Sequence, residues 1–300
     1  MITVNNLVKR FGDFTALGGV TCNINEGCIY GMVGSNGAGK STFLRLITGV
    51  YKPDEGSVEI DGMPVLENPQ AKEKFMYVPD ELFFLPGANM ERMAQLYNTL
   101  HEGFDFEKFR TLSYKLQLDT RKSINGFSKG MKRQAAILLA LSVHPKYIFF
   151  DETFDGLDPV VRNVIKDIIY SEVAEKKATA IITSHSLREL EDTCDQLALL
   201  HKGGLVFERD INDLKTSLFK IQIALSQDYD KSAFDGIDIL HFSKKGSVSN
   251  MIIRGNKEET VSKLKMLMPL ILDVLPLSLE EVFTYEMSAL GYDFRNETEG

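Results

Sequence analysis

Residues 34–42 read Gly-Ser-Asn-Gly-Ala-Gly-Lys-Ser-Thr, and no other stretch narrows the fold of this chain so far. The glycines at 34, 37 and 39 let the backbone turn tightly and leave its amides unscreened by side chains. Residues 28–33, just before, are a compact and mostly apolar run, which reads as a buried strand. Residues 41–48, just after, have helical spacing, with Phe43, Leu44 and Ile47 on one face. Strand, glycine turn and helix in direct succession make one unit of a parallel α/β sheet.

The chemistry of such a turn is anion recognition. Successive turned amides form a nest, and the helix opening near Lys40 adds about half a positive charge at its N-terminus. The spacing of glycine, four residues, then Gly-Lys-Ser/Thr is that of a phosphate-binding loop. In this reading Gly34, Ser35, Asn36, Gly37, Ala38 and Gly39 wrap the phosphates of ATP. Lys40 bridges the β- and γ-phosphates, Ser41 offers a hydroxyl to Mg2+, and Thr42 completes the set. A second motif fits the first. Residues 147–152, Tyr-Ile-Phe-Phe-Asp-Glu, are an apolar strand ending in two acids. Strand side chains alternate faces, so the two acids diverge. Asp151 can hold Mg2+ through its water shell, and Glu152 can polarise the attacking water.

The rest of the chain alternates in the same way. Strands are expected at 3–4, 20–24, 147–150 and 178–183, a helical insert over about 85–145, and helices at 129–141 and 159–176. The composition changes beyond about 217. Half-buried strands at 219–225 and 249–253, a helix at 258–268 and a capping box at Ser278–Glu281 suggest a small α+β appendage. Residues 296–300 are polar and expected to fray. The predicted division is 1–216 and 217–300. Three cysteines with no Cys-x-x-Cys pair suit a reducing compartment. The net charge of −8 argues against a nucleic-acid binder. No leader is expected at the N-terminus, and no apolar run approaches the roughly 20 residues of a membrane span. Any transport pathway is therefore expected on another chain.

With these motifs in this order, residues 1–215 resemble the ATP-binding-cassette family. The resemblance implies a phosphate-loop ATPase domain with a mainly parallel sheet, an antiparallel β subdomain and a helical insert. It implies that Phe11 stacks on adenine. Residues 127–131, Phe-Ser-Lys-Gly-Met, resemble the family signature Leu-Ser-Gly-Gly-Gln. By that resemblance Ser128 and the Gly130 amide contact the γ-phosphate held by an opposite subunit. Residues 155–158, Asp-Gly-Leu-Asp, match the loop whose aspartate, Asp158, meets the partner's phosphate loop. Residues 183–185, Thr-Ser-His, place His185 as the switch histidine, catalytic beside Glu152 and Lys40. Two positions depart from the pattern. Thr153 stands where the family usually has proline. Asp80 stands where it usually has a glutamine that touches Mg2+, and the substitution predicts a tighter metal contact and changed coupling.

The function implied is an ATPase subunit of an ABC transporter. Two copies, or a heterodimeric pair, would close on Mg-ATP at the inner face of the cell membrane, in the cytoplasm, and drive an integral-membrane subunit on a separate chain. Residues 277–283, Leu-Ser-Leu-Glu-Glu-Val-Phe, resemble a terminal segment common in drug, antibiotic and polysaccharide exporters, which points to export. The competing reading is a soluble cassette ATPase acting on ribosomes or DNA. A single cassette, no long coiled-coil insert and the acidic charge count against it. A small-molecule kinase is the third reading, and the signature and switch histidine count against that. The appendage could be regulatory, a second dimer surface or a structural brace, the brace being the simplest.

Overall fold

The computed structural model describes residues 1–289; the side chains at 215, 217, 286, 287 and 289 lie outside that description, as does the tail at 296–300 that was expected to fray. The chain divides into two compact units, Met1–Glu208 and Arg209–Gly300.

The first unit opens with two long strands, β1 (Ile2–Phe11) and β2 (Phe14–Ile24), and then β3 (Ile29–Val33) and α1 (Lys40–Ile47). Next come β4 (Glu55–Ile60), β5 (Met63–Pro64), α2 (Pro69–Lys72) and β6 (Phe75–Val78). Three helices follow without an intervening strand: α3 (Met90–Leu100), α4 (Phe106–Lys115) and α5 (Lys129–Leu141). The remainder alternates: β7 (Tyr147–Asp151), α6 (Pro159–Lys176), β8 (Thr179–Ser184), α7 (Leu187–Glu191), β9 (Gln196–His201) and β10 (Gly204–Asp210).

These strands make two sheets. One is antiparallel, in the order β2-β1-β4-β5. The other has the order β10-β9-β3-β8-β7-β6, and its pairs from β9 through to β6 are parallel. Every residue of β3, β7 and β8 is buried, as a sheet covered on both faces requires. Helix α1 touches β7, β2 and β4. Its Phe43, Leu44 and Ile47 are fully buried in one core with Leu7, Leu17, Tyr30 and Phe149. Each such side chain stabilises the fold by about 1.5–3 kcal/mol, so the helix behind the glycine turn is firmly seated.

The helical insert expected over about 85–145 carries two helices, α3 and α4, ahead of α5, and local chemistry explains the break between them. Gly103 takes φ of 85°, and the Asp105 carboxylate accepts from the Lys108 amide at 2.8 Å to cap α4. Asn89 caps α3 in the same way, accepting from the Arg92 amide at 2.8 Å.

The second unit contains α8 (Ile211–Ser217), β11 (Leu218–Ala224), β12 (Ile239–Lys245), β13 (Val248–Arg254), α9 (Lys257–Lys265), β14 (Ile271–Leu275) and α10 (Leu279–Ala289). The sequence placed its start at 217, but α8 packs on β11 and α10 and so lies within it. Its sheet is antiparallel in the order β12-β13-β11-β14, around a core of Phe219, Ile221, Ile223, Met251, Ile253 and Leu264. At the start of α10 the capping box is made: the Ser278 amide donates to Glu281 at 3.0 Å and the Glu281 amide to Ser278 Oγ at 3.2 Å. Among the described residues no helix is long and apolar enough to cross a membrane.

Candidate functional site

Sheet order, rather than sequence order, assembles the site. Strands β3, β8 and β7 are adjacent and parallel, so their carboxyl ends finish side by side, with Val33 opposite Ser184 and Asp151 opposite Thr183. Ligands bind outside such strand ends in open α/β sheets. Here those ends carry the glycine turn, the Thr183–His185 segment and the Asp151–Glu152 pair.

The glycine turn is fixed by close approach. A Cβ on Gly34 would lie 2.3 Å from the Leu200 carbonyl oxygen, so no other residue fits. Gly39 takes φ of 107° as it caps α1, and a Cβ there would meet the Ala16 carbonyl oxygen at 2.8 Å. Ser35, Asn36 and Gly37 are exposed, Ala38 is buried, and Ser41 and Thr42 are half-buried at the helix start. Lys40 is 4% exposed. Its ammonium donates to the Gly34 carbonyl at 2.7 Å and the Ser35 carbonyl at 3.2 Å, and sits 3.1 Å from Glu152 Oε1.

Asp151 is fully buried and takes three hydroxyl donors. Ser41 Oγ reaches Oδ1 at 2.9 Å, Thr183 Oγ1 reaches Oδ1 at 3.0 Å, and Tyr77 OH reaches Oδ2 at 3.1 Å. Burial pushes its carboxyl pKa up, while those donors and the Arg45 charge pull it down. The paired hydroxyl and carboxylate of Ser41 and Asp151 are hard oxygen donors of the kind Mg2+ takes.

Glu152 leaves the strand with φ of 46°, a left-handed conformation unusual for a residue with a side chain. Its amide donates to Thr183 Oγ1 at 3.1 Å, which helps to hold that turn. The turn swings the Glu152 carboxylate away from Asp151 toward Lys40 and the switch histidine. His185 Nδ1 lies 3.8 Å from Glu152 Oε2 and 3.5 Å from Asp155 Oδ2. These three side chains offer ligand atoms within 4.8 Å of one another. Burial raises the Asp155 carboxyl above its usual range, His185 opposes the rise, and Glu189 and Glu152 add to it.

The other sequence-chosen residues lie around this centre. Phe11 is 45% exposed at the tip of the β1–β2 hairpin, edge-on to Tyr51 with ring centroids 5.6 Å apart. The same hairpin presses Ala16 and Leu17 against Gly39. Ser128 caps α5, its Oγ accepting from the Met131 amide at 3.2 Å. Gly130 lies against the Gly156 carbonyl, which a Cβ would approach to 3.1 Å. Asp158 is exposed and caps α6, accepting from the amides of Val160 and Val161 at 3.1 and 3.0 Å.

The expected metal set was Ser41, Asp80 and Asp151. Ser41 and Asp151 are brought together, but the Asp80 carboxylate accepts from the guanidinium of Arg133. A buried guanidinium competes for the nearest carboxylate because an unpaired charge there is costly. Four residues that hold the site were given no role from sequence: Thr183, Tyr77, Arg133 and Glu189. Glu189 accepts from Ser184 Oγ at 2.7 Å and pairs with Arg162 at 3.1 Å, which ties the switch segment to α6.

A phosphate-binding loop, a buried acid beside its serine and a second acid facing a histidine define a nucleoside-triphosphate-binding α/β domain. Comparison with known proteins narrows the class. The family described as ABC transporter matches residues 17–155. The chain is 30% identical over 283 residues to the ABC transporter ATP-binding protein YtrB of Bacillus subtilis, covering 94% of this chain and 97% of that protein. It is 32% identical over 222 residues to the bacitracin transport ATP-binding protein BcrA of Bacillus licheniformis, covering 72% of this chain and 71% of that one. A solved ATP-binding subunit of an ABC transporter superposes with a TM-score of 0.66 at 26% identity, over 72% of this chain and 92% of that one. The chain belongs to the family of ABC transporter ATP-binding proteins. It is an ATPase subunit of that kind, and such subunits dimerise and work with membrane subunits.

Proposed function

We propose that this subunit hydrolyses Mg-ATP at a site shared between two such domains and so drives export through a separate membrane-spanning chain. The observation that carries the reading is the convergence of Lys40, Asp151, Glu152 and His185 at the ends of three adjacent strands.

The mechanism follows from charge. The triphosphate lies in the amides of residues 34–42, at the N-terminus of α1, where anions are favoured. Ser41 and Asp151 would hold Mg2+, which when bound offsets the phosphate charge. Lys40 pairs with Glu152 at 3.1 Å. A γ-phosphate competes for that ammonium, and as Lys40 turns to it the Glu152 carboxylate is freed to accept a proton from the attacking water. His185, beside both Glu152 and Asp155, donates to the γ-phosphate as charge builds on it. Phe11 offers an exposed ring face for adenine. Ser128 and Gly130, at the exposed start of α5, complete the site of the opposite subunit, and Asp158 meets that subunit's phosphate loop. Binding then closes the pair, and hydrolysis weakens the closure.

Export is supported by the segment at 277–283 and by the name of the bacitracin transport relative. In this reading the subunit sits on the cytoplasmic face of the cell membrane, held there by its membrane partner. The decisive test is Glu152→Gln. Removing a positioned base costs about 10²–10⁴-fold in turnover. The variant should keep ATP affinity, hydrolyse slowly and run as a dimer with Mg-ATP in size-exclusion light scattering. A variant that stays monomeric at saturating Mg-ATP, at every protein concentration, overturns the shared site.

A further inference from the structure

Arg133 is the largest fully buried side chain among the described residues, at 1% exposure. A guanidinium taken out of water is costly unless its charge is met by a partner. It lies in α5, the helix that begins at the family signature. Its two terminal nitrogens go to two other segments. Nη2 donates to the Asp80 carboxylate, just beyond the end of β6, and Nη1 donates to the backbone carbonyl of Asp155. The Asp155 side chain is in turn 3.5 Å from His185. At the start of the same helix, Gly130 rests against the Gly156 carbonyl. One side chain therefore joins the signature helix, the segment after β6 and the loop that faces the switch histidine.

We propose that Arg133 is a positioning residue, and that the Asp80–Arg133 pair passes displacement of the segment after β6 to the Glu152–Asp155–His185 cluster. The identity of residue 80 supports this. The resemblance predicts a neutral glutamine there, which could bond a guanidinium but not balance its charge. Aspartate does both, and it spends on Arg133 the oxygen that a metal ligand would keep free. The loop carbonyl of Asp155 is fixed by the same guanidinium, so a shift at Asp80 changes where Asp155 stands relative to His185. The proposal deepens the ATPase reading and rests on it.

The test is a double-mutant cycle in the full-length chain with Mg-ATP as substrate: Asp80→Asn, Arg133→Gln and the two together, with Asp80→Glu as the conservative variant. Turnover, KM, the affinity of a fluorescent ATP analogue and the Mg2+ dependence are read for each. Each single change should lower kcat about tenfold and leave analogue affinity within about twofold, because the link orients the cluster and does not touch nucleotide. The double variant should be no slower than the slower single variant, and Asp80→Glu should keep most of the activity. Losses that multiply in the double variant overturn the link. So does unchanged kcat in both single variants, or an Asp80→Asn chain that needs more Mg2+ for half-maximal rate, which would return Asp80 to the metal. If Arg133→Gln does not fold, the contrast between Asp80→Asn and Asp80→Glu decides, equal losses in the two overturning the proposal. The parent chain separates the two claims: failure to hydrolyse Mg-ATP at all removes the ATPase reading, whereas a working parent with multiplying losses removes only the link.

Discussion

Thr183→Val is the sharpest single probe of how the site is held. The side chain is 1% exposed, and valine fills nearly the same volume, so the change removes a hydroxyl and little else. That hydroxyl donates to Asp151 Oδ1 at 3.0 Å and accepts from the Glu152 amide at 3.1 Å. Without it the buried carboxylate loses one of three donors, and the amide of a residue held at φ of 46° loses its acceptor. Leaving a buried polar group unpaired costs about 1–3 kcal/mol, and more for a charged one. Ser41 and Tyr77 still serve Asp151, so the sum is about 2–4 kcal/mol. At 1.4 kcal/mol per tenfold, that is roughly a 30- to 700-fold loss of protection. Hydrogen exchange of the amides in β7 and β8 measures it directly, because those strands carry the affected groups. The effect should be largest at the carboxyl ends of both strands, with a matching fall in kcat. Protection within about threefold of the parent chain, less than about 0.7 kcal/mol, would refute the reasoning that Thr183 holds the two acids apart.

Three further outcomes are expected. Lys40→Ala should abolish binding of a fluorescent ATP analogue in titration, since it removes the cation at the loop and leaves Glu152 facing the phosphates; near-parent affinity would remove the assignment. Gly34→Ala should reduce both soluble yield and nucleotide affinity, because its Cβ would lie 2.3 Å from the Leu200 carbonyl oxygen, and crowding of this kind costs about 1–3 kcal/mol. Lys108→Met should destabilise the first unit by about 1–3 kcal/mol in urea, because Lys108 bonds Glu172 at 2.7 Å where both side chains are about nine-tenths buried, and its loss leaves that carboxylate only the longer contacts to Lys176 at 3.6 Å and His144 at 3.9 Å; adding Glu172→Met should recover most of the loss.

What could be read from sequence follows from what is local. The glycine turn, the buried run before it and the helix after it are neighbours along the chain, so the spacing at 34–42 already carried that unit. The acids at 151 and 152 were legible for the same reason. The order of the strands was not, since β3 is flanked by β8 and β9 and the antiparallel sheet pairs the chain's first strand with its fourth. The hydroxyls on Asp151 come from residues 32, 74 and 110 positions away, and no periodicity reports such a meeting. The break between α3 and α4 has a local signal in Gly103 and Asp105, a glycine two residues before an aspartate cap.

Arg133 is the more instructive miss, because its signal was present. In a helix at 129–141 it shares a face with Ile137, Ala140 and Leu141, all of which are buried to within 1%. A lone arginine on such a face has to find an acceptor, since charged side chains are seldom fully buried unpaired. The unusual acid in the motif region was Asp80, standing where a glutamine was expected. Asp80 alone invited a reading as a metal ligand, and Arg133 carried no role in the sequence. Taken together they form a charge-matched pair, with the substitution at 80 balancing the arginine at 133. The same pairing engages, through the guanidinium, the carboxylate that the sequence offered to Mg2+.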